Sequence, residues 1–294
     1  MFKTILLAAS ADHACDNAAK SAFRLADLTN AHITVFHVLG MPAHGFSQEV
    51  IDVKTGEKVE ASEEYISWVK EEIKIYYAKQ FEKTKSFDIK IAVGMPYREI
   101  LREIKNGRYD IVTLGGTSKE KISVYKKHML GSTVLRVAKA SPIPVMVLCR
   151  PSSSFLKNIS SILFCADFSK ESDAAFNFAA NLAKFFNCNL DIFNVADISP
   201  VFSKNIIEQD EIDSQISAAY KKIEEKYIPH TKNIIKTVAN VCEGIPYVEI
   251  VKYAREKNSS LIVIAHHNKE NENFGSNMEQ IIVRSASPVI SINK

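Results

Sequence analysis

Short apolar runs punctuate the chain, and each is followed by a stretch in which apolar residues recur every three to four positions. The first pair is TILLAA at 4–9, then a segment with small or apolar residues at Ala18, Ala22, Leu25 and Ala26. The order restarts with SILFCA at 161–166, then Ala175, Phe178, Ala179, Leu182, Ala183 and Phe186. Spacings of i, i+3, i+4 and i+7 gather residues on one face of an amphipathic helix, whereas a short apolar run bounded by turn residues reads as a buried strand. Second strands follow at 32–39 (HITVFHVL) and 189–196 (NLDIFNVA), and each leads into a long polar helix, at 62–84 and 207–227. Third strands (FDIKIAV and IIKTVANV) run into Gly94-Met95-Pro96-Tyr97 and Gly244-Ile245-Pro246-Tyr247, then into REILREI and VEIVKYA. A proline there suits the first position of a helix. Fourth strands begin near Ile111 and Leu261, and final strands are expected at 143–148 and 288–292.

Strand and helix alternate throughout, so each half should be a parallel sheet with helices on both faces. The expected fold is α/β, with two doubly wound domains at 1–150 and 158–294. The Pro/Ser-rich stretch RPSSSFLK supplies a linker at 150–157. One segment, 40–61, breaks the symmetry. Its EVIDVKTGEKVEA reads as two short β runs about a Thr55-Gly56 turn, an inserted surface hairpin. A lid or a dimer contact is the alternative.

Composition narrows the class. With 294 residues, 46% hydrophobic and 24% charged, the chain is ordinary globular material of two-domain size. No apolar run reaches the length of a membrane span, and the apolar N-terminus is short enough to be a first strand rather than a signal peptide. Cys15, Cys149, Cys165, Cys188 and Cys242 are scattered and odd in number, which favours reduced thiols in a cytoplasmic protein. Residues 1–150 hold 22 Lys+Arg against 17 Asp+Glu, and the remainder 15 against 17. The basic residues are interspersed with acids, so no nucleic-acid partner is called for. His266-His267 lacks a third ligand at a recognisable spacing and reads as a solvated pair, with no metal required. Trp68 reads as helix packing.

The candidate chemistry lies at 111–133. A strand ends at Gly115-Gly116, a loop with Lys119, Lys121, Lys126 and Lys127 follows, and Gly131-Ser132-Thr133 opens a helix. A helix start offers unpaired N–H groups and the positive end of a dipole, which suits an anion. Ser and Thr at a helix start also serve as plain N-caps. The C-terminal counterpart runs from LIVIA to Gly275-Ser276. No Walker loop, G-x-S-x-G or H-E-x-x-H is present, so those chemistries have no support.

Taken together, the strand-one openings ILLAASAD and ILFCADFS, the paired G-x-P turns, the D-I-V and L-I-V strands and the closing segments SPIPVMVL and SASPVISI resemble the universal stress protein family in tandem form. The resemblance covers essentially the whole chain. It implies an adenine nucleotide alpha hydrolase-like fold with strand order 3-2-1-4-5. It also implies association through the last strand, giving an intramolecular pseudo-dimer of the two domains and leaving room for a homodimer.

ATP-binding members carry an Asp after strand one and a loop G-x2-G-x9-G-[ST]. Carried over, the first site comprises Ala9, Ser10 and Val38 around the nucleoside, and Gly115, Gly116, Ser118, Gly131, Ser132 and Thr133 toward the phosphates. Ser10 replaces the Asp, Ser118 replaces the second glycine, and twelve residues rather than nine precede Gly131. The second site, degenerate, comprises Ala166, Asp167, Val195, Ala265, His267, Asn268, Gly275 and Ser276. It keeps the Asp but replaces both loop glycines and sets Glu270 and Glu272 where phosphates would lie. The implied function is a regulatory stress-response protein that holds ATP or another adenine nucleotide in its first domain, with at most slow hydrolysis. The alternative is a nucleotide-free interaction scaffold acting through its dimerisation surfaces.

Overall fold

A computed structural model describes residues 1–10, 15–41, 49–52, 55–116, 131–198, 209–266 and 277–293. The chain divides into two compact units between Leu148 and Cys149.

The first unit runs β1 (Thr4–Ala9), α1 (Asp16–Thr29), β2 (His32–Gly40), β3 (Glu49–Ile51), β4 (Lys58–Glu60), α2 (Glu63–Tyr76), α3 (Ala78–Phe81), β5 (Phe87–Gly94), α4 (Pro96–Asn106), β6 (Ile111–Gly115), α5 (Ser132–Ala140) and β7 (Val145–Leu148). Strands β7, β6, β1, β2 and β5 lie side by side in that order, all parallel. β1 is central, and Ile5, Leu6 and Leu7 are wholly buried, as expected of a strand covered on both faces. Helix α1 packs over β1, β2 and β6, while α4 packs over β2 and β5 and against α5. The first crossover leaves β1 in one direction along the sheet, and the return from β5 to β6 runs the other way. The strand order therefore reverses between β1 and β6, the place where an open α/β sheet leaves a crevice at its carboxyl edge.

The second unit repeats the plan: α6 (Ser153–Lys157), β8 (Ser161–Cys165), α7 (Lys170–Phe186), β9 (Asn189–Asp197), α8 (Gln209–Lys226), β10 (Thr237–Gly244), α9 (Pro246–Glu256), β11 (Leu261–His266), α10 (Asn277–Arg284) and β12 (Val289–Asn293). Its sheet runs β12, β11, β8, β9, β10, again all parallel. Small devices recur with the plan. Asn30 and Asn187 end α1 and α7 in the left-handed conformation, which Asn tolerates. Ser141 and Ser285 each accept from and donate to the backbone two residues on, turning the chain into the last strand. Gly94 and Gly244 sit at φ +153° and +149°. There a β-carbon would meet Glu99 or Glu249 at 2.8 and 2.5 Å, so both geometry and space hold these turns to glycine.

Four expectations are corrected. The helix expected at 62–84 breaks at Tyr77, which lets the Tyr77 and Phe81 rings both pack on Phe23, at 5.6 and 5.4 Å between centroids. Burying two aromatics outweighs continuous helical hydrogen bonding here. The stretch expected as linker holds the short helix α6, anchored by the buried Phe155. The hairpin β3–β4 is not a bare surface excursion: Val50 is wholly buried with Leu39 and Val69. Lastly, His266 ends β11 and is buried rather than solvated in a loop; His267 lies outside the described residues.

Candidate functional site

The crevice at the carboxyl edge of the first sheet is a cleft of about 360 Å³, inside the usual range for small-molecule sites. Each wall follows from a local rule. Ala8 and Ala9 end β1 and Ser10 follows it, and Leu114 and Gly115 end the neighbouring β6. Phe36 and Val38 line it from one face of β2, because alternate strand residues point the same way. Pro96 and Ile100 come from the first turns of α4, and Gly131, Ser132, Thr133 and Val134 from the start of α5.

The start of α5 decides the chemistry. Gly131 occupies the N-cap position, so the cap residue itself offers no side chain, and among the described residues no side-chain cap is seen. Ser132 and Thr133 are therefore the first two helical residues, not caps, and both border the cleft, at the end of the helix where backbone N–H groups have no intrahelical partner. The cleft lining holds no carboxylate, histidine or lysine among the described residues. Its electrostatic bias comes from the helix dipole, which favours an anion. Nearby, Arg136 of α5 lies over the Tyr97 ring of α4 at 4.5 Å, which ties the two helices together behind the cleft. At the nucleoside end, Ser10 Oγ lies 2.8 Å from Cys15 Sγ, a polar contact in place of a carboxylate.

Of the first-site residues expected from sequence, Ala9, Ser10, Val38, Gly115, Gly131, Ser132 and Thr133 border this one cleft. Gly116 is not among the residues lining the cleft, and its N–H donates to the Leu148 carbonyl at 2.7 Å, extending the β6–β7 ladder. Ser118 and the lysine-bearing loop lie outside the described residues. Sequence reasoning misses Leu114, Pro96 and Ile100. Their apolar character signals core, and only the crossover brings α4 over the crevice.

In the second unit, Ala166 follows β8 and its carbonyl accepts a hydrogen bond from Asn194 Nδ2 at 2.8 Å. Asp167 is exposed, and its Oδ1 accepts from the Ser169 N–H (3.0 Å) and Oγ (2.6 Å), where Ser169 caps α7. That carboxylate is thus engaged in building a helix start. Val195 and Ala265 are half-buried on β9 and β11. His267, Asn268, Gly275 and Ser276 lie outside the described residues. Among the described residues no group of three or more His, Cys, Asp or Glu is arranged to hold a metal, and no helix is long and apolar enough to cross a membrane. All five cysteines are free thiols. Burial pushes Cys149, Cys188 and Cys242 up to about 11, so these thiols stay protonated and unreactive near neutral pH.

The sequence model of the universal stress protein family matches residues 1–148 and again 158–293. The chain belongs to the universal stress protein family. Two family domains thus occupy one chain. Among solved structures, a universal stress protein from Archaeoglobus fulgidus is similar over 99% of this chain and 96% of its own, with TM-score 0.71 and 19% identity. A candidate universal stress protein from Pseudomonas aeruginosa covers 99% and 93%, with TM-score 0.61 and 14% identity. At these identities the likeness speaks to the fold. Among curated proteins no sequence matches significantly.

Proposed function

We infer that this universal stress protein binds an adenine nucleotide in its first domain and acts as a regulatory stress-response binding protein rather than as an efficient enzyme. One observation supports the reading: the start of α5, with a glycine at its N-cap, opens into the same cleft as the ends of β1 and β2. Phosphates would take the N–H groups and hydroxyls of Ser132 and Thr133, and the nucleoside would lie by Ala9, Ser10 and Val38. With Ser10 in place of a carboxylate, a ribose hydroxyl finds a weaker partner. A neutral hydrogen bond contributes roughly 1 kcal/mol, against about 1.5–3 kcal/mol for a charged one. The affinity should accordingly be modest. No described carboxylate, histidine or lysine of the cleft stands ready as a general base, which supports binding over turnover. The scattered cysteines, free in the structure, support a cytoplasmic setting, and two domains in one chain are compatible with a pseudo-dimer.

The second domain's site is degenerate on this reading, since Asp167 already braces the Ser169 cap of α7. Calorimetric titration of the whole chain with ATP tests the proposal. One saturable site per chain is expected. No heat and no thermal shift at millimolar nucleotide would leave the interaction scaffold as the function.

A further inference from the structure

The opposite face of β2 borders a second cavity, smaller, at about 140 Å³. Strand alternation divides β2 between the two spaces: Phe36 and Val38 face the nucleotide cleft, while His37 and Leu39 line the second cavity, and Ala9 and Ser10 at the end of β1 border both. Its other walls are α2, through Tyr65, Trp68, Val69 and Ile73, and the hairpin, through Asp52. The segment that breaks the symmetry between the two domains therefore builds a space of its own, floored by the buried cluster of Leu39, Val50 and Val69.

The lining is mostly aromatic and aliphatic, with Ser10, His37, Asp52 and Glu72 as its non-aromatic polar members. Asp52 is occupied, accepting from Tyr65 Oη at 2.7 Å and from the Thr55 N–H at 2.7 Å. Tyr65 is pushed up to about 12 by burial and by Asp52, so it remains a donor to that carboxylate. Trp68 stacks on Tyr65 at 5.7 Å and is 46% exposed. It is a ring on a cavity rim rather than the packed core residue its sequence suggests. His37 differs from the rest. Its Nδ1 lies 2.9 Å from the Ala9 carbonyl. A carbonyl only accepts, so Nδ1 carries the proton and Nε2 is left as an acceptor. Burial lowers the His37 pKa, which keeps the ring neutral. In the second domain the equivalent position is Asn194, whose Nδ2 makes the same bond to the Ala166 carbonyl. That residue keeps the backbone clamp but places no acceptor where Nε2 sits.

We propose that this cavity binds a single-ring aromatic molecule bearing one hydrogen-bond donor, a phenol. Its ring lies among Trp68, Tyr65, Leu39 and Val69, and its hydroxyl donates to His37 Nε2. The volume matches: an apolar cavity of about 150 Å³ is sufficient for benzene. The site shares Ala9 and Ser10 with the nucleotide cleft, but its ring and hydroxyl contacts come from the other face of β2 and from α2, so phenol binding is tested without nucleotide.

Trp68 is the chain's single tryptophan, so its emission reports occupancy in the full-length protein. Titration with phenol and, separately, with toluene should each give a saturable change. His37→Asn retains the clamp to Ala9 in the manner of the second domain and withdraws the acceptor from the Nε2 position, its Oδ1 standing closer to the backbone. It should weaken phenol about tenfold relative to toluene. Val69→Phe, which fills the space, should abolish both responses; if that variant does not fold, His37→Asn still decides. The proposal is overturned if neither probe gives a saturable response by about 10 mM, or if the phenol-to-toluene affinity ratio is the same in wild type and His37→Asn.

Discussion

Replacing Gly131 with Asp should move stability and nucleotide binding in opposite directions. Gly131 holds the N-cap of α5 at φ −58° and ψ 141° and caps nothing; that conformation is open to any L-residue. A carboxylate there can accept from the N–H groups of the first turn, gaining a few tenths of a kcal/mol over glycine. It also sits at the positive end of the dipole, worth about 0.3–1 kcal/mol. The sum is near 1 kcal/mol, or a rise in Tm of about 2–4 °C for a unit of roughly this size. A phosphate loses on both counts. It forfeits a charge-assisted hydrogen bond of about 1.5–3 kcal/mol, and it meets a like charge at close range, a repulsion of up to about 4 kcal/mol at 4 Å near a protein surface. ATP should therefore bind about a hundredfold more weakly, or worse. Gly131→Asn is the control: it caps without charge and should stabilise with a smaller loss of affinity. Thermal unfolding without ligand and calorimetric titration with ATP give the two readouts. A raised Tm with ATP affinity intact would refute the placement of phosphate at α5. A lowered Tm would refute the account of a helix start whose N-cap offers no side chain.

Two further outcomes follow from the same geometry. Gly244→Ala forces a β-carbon to within 2.5 Å of Glu249 at φ +149°, and should lower stability by about 1–3 kcal/mol; a urea midpoint equal to wild type would contradict the strain. Burial lowers the folded pKa of His37, so between that value and the unfolded value of about 6.5 the unfolded chain binds the extra proton. Its contribution is complete above the unfolded value and is lost as pH falls below it, by at most about 1.4 kcal/mol per pH unit. The difference in urea midpoint between wild type and His37→Asn should thus change with pH below about 6.5 and be flat above it; a pH-independent difference would remove the argument.

Much of the fold was legible because its signals are local. Apolar runs that must be buried on both faces, helix stripes at i, i+3, i+4, and the G-x-P turns survive in both copies without reference to distant residues. The candidate site was legible in part for the same reason, since glycines and hydroxyls at strand ends and helix starts carry their own chemistry. Gly116 shows the limit of that reading: only the structure reveals that its N–H is taken up by the Leu148 carbonyl. Tyr77 misled because nothing next to it in sequence announces that Phe23 lies beneath.

The sequence by itself determined two copies of one α/β unit and the family they belong to, because periodicity and turn chemistry act over a few residues and were repeated. Only the tertiary structure decided which groups are still available to a ligand. Asp167 was committed to bracing the cap of α7, Ser132 and Thr133 were left at a helix start with a glycine at its N-cap, and the hairpin, α2 and His37 were assembled around a cavity that no stretch of sequence announces. Availability depends on what lies across the sheet or over the next helix, and those neighbours are set by packing between segments tens of residues apart.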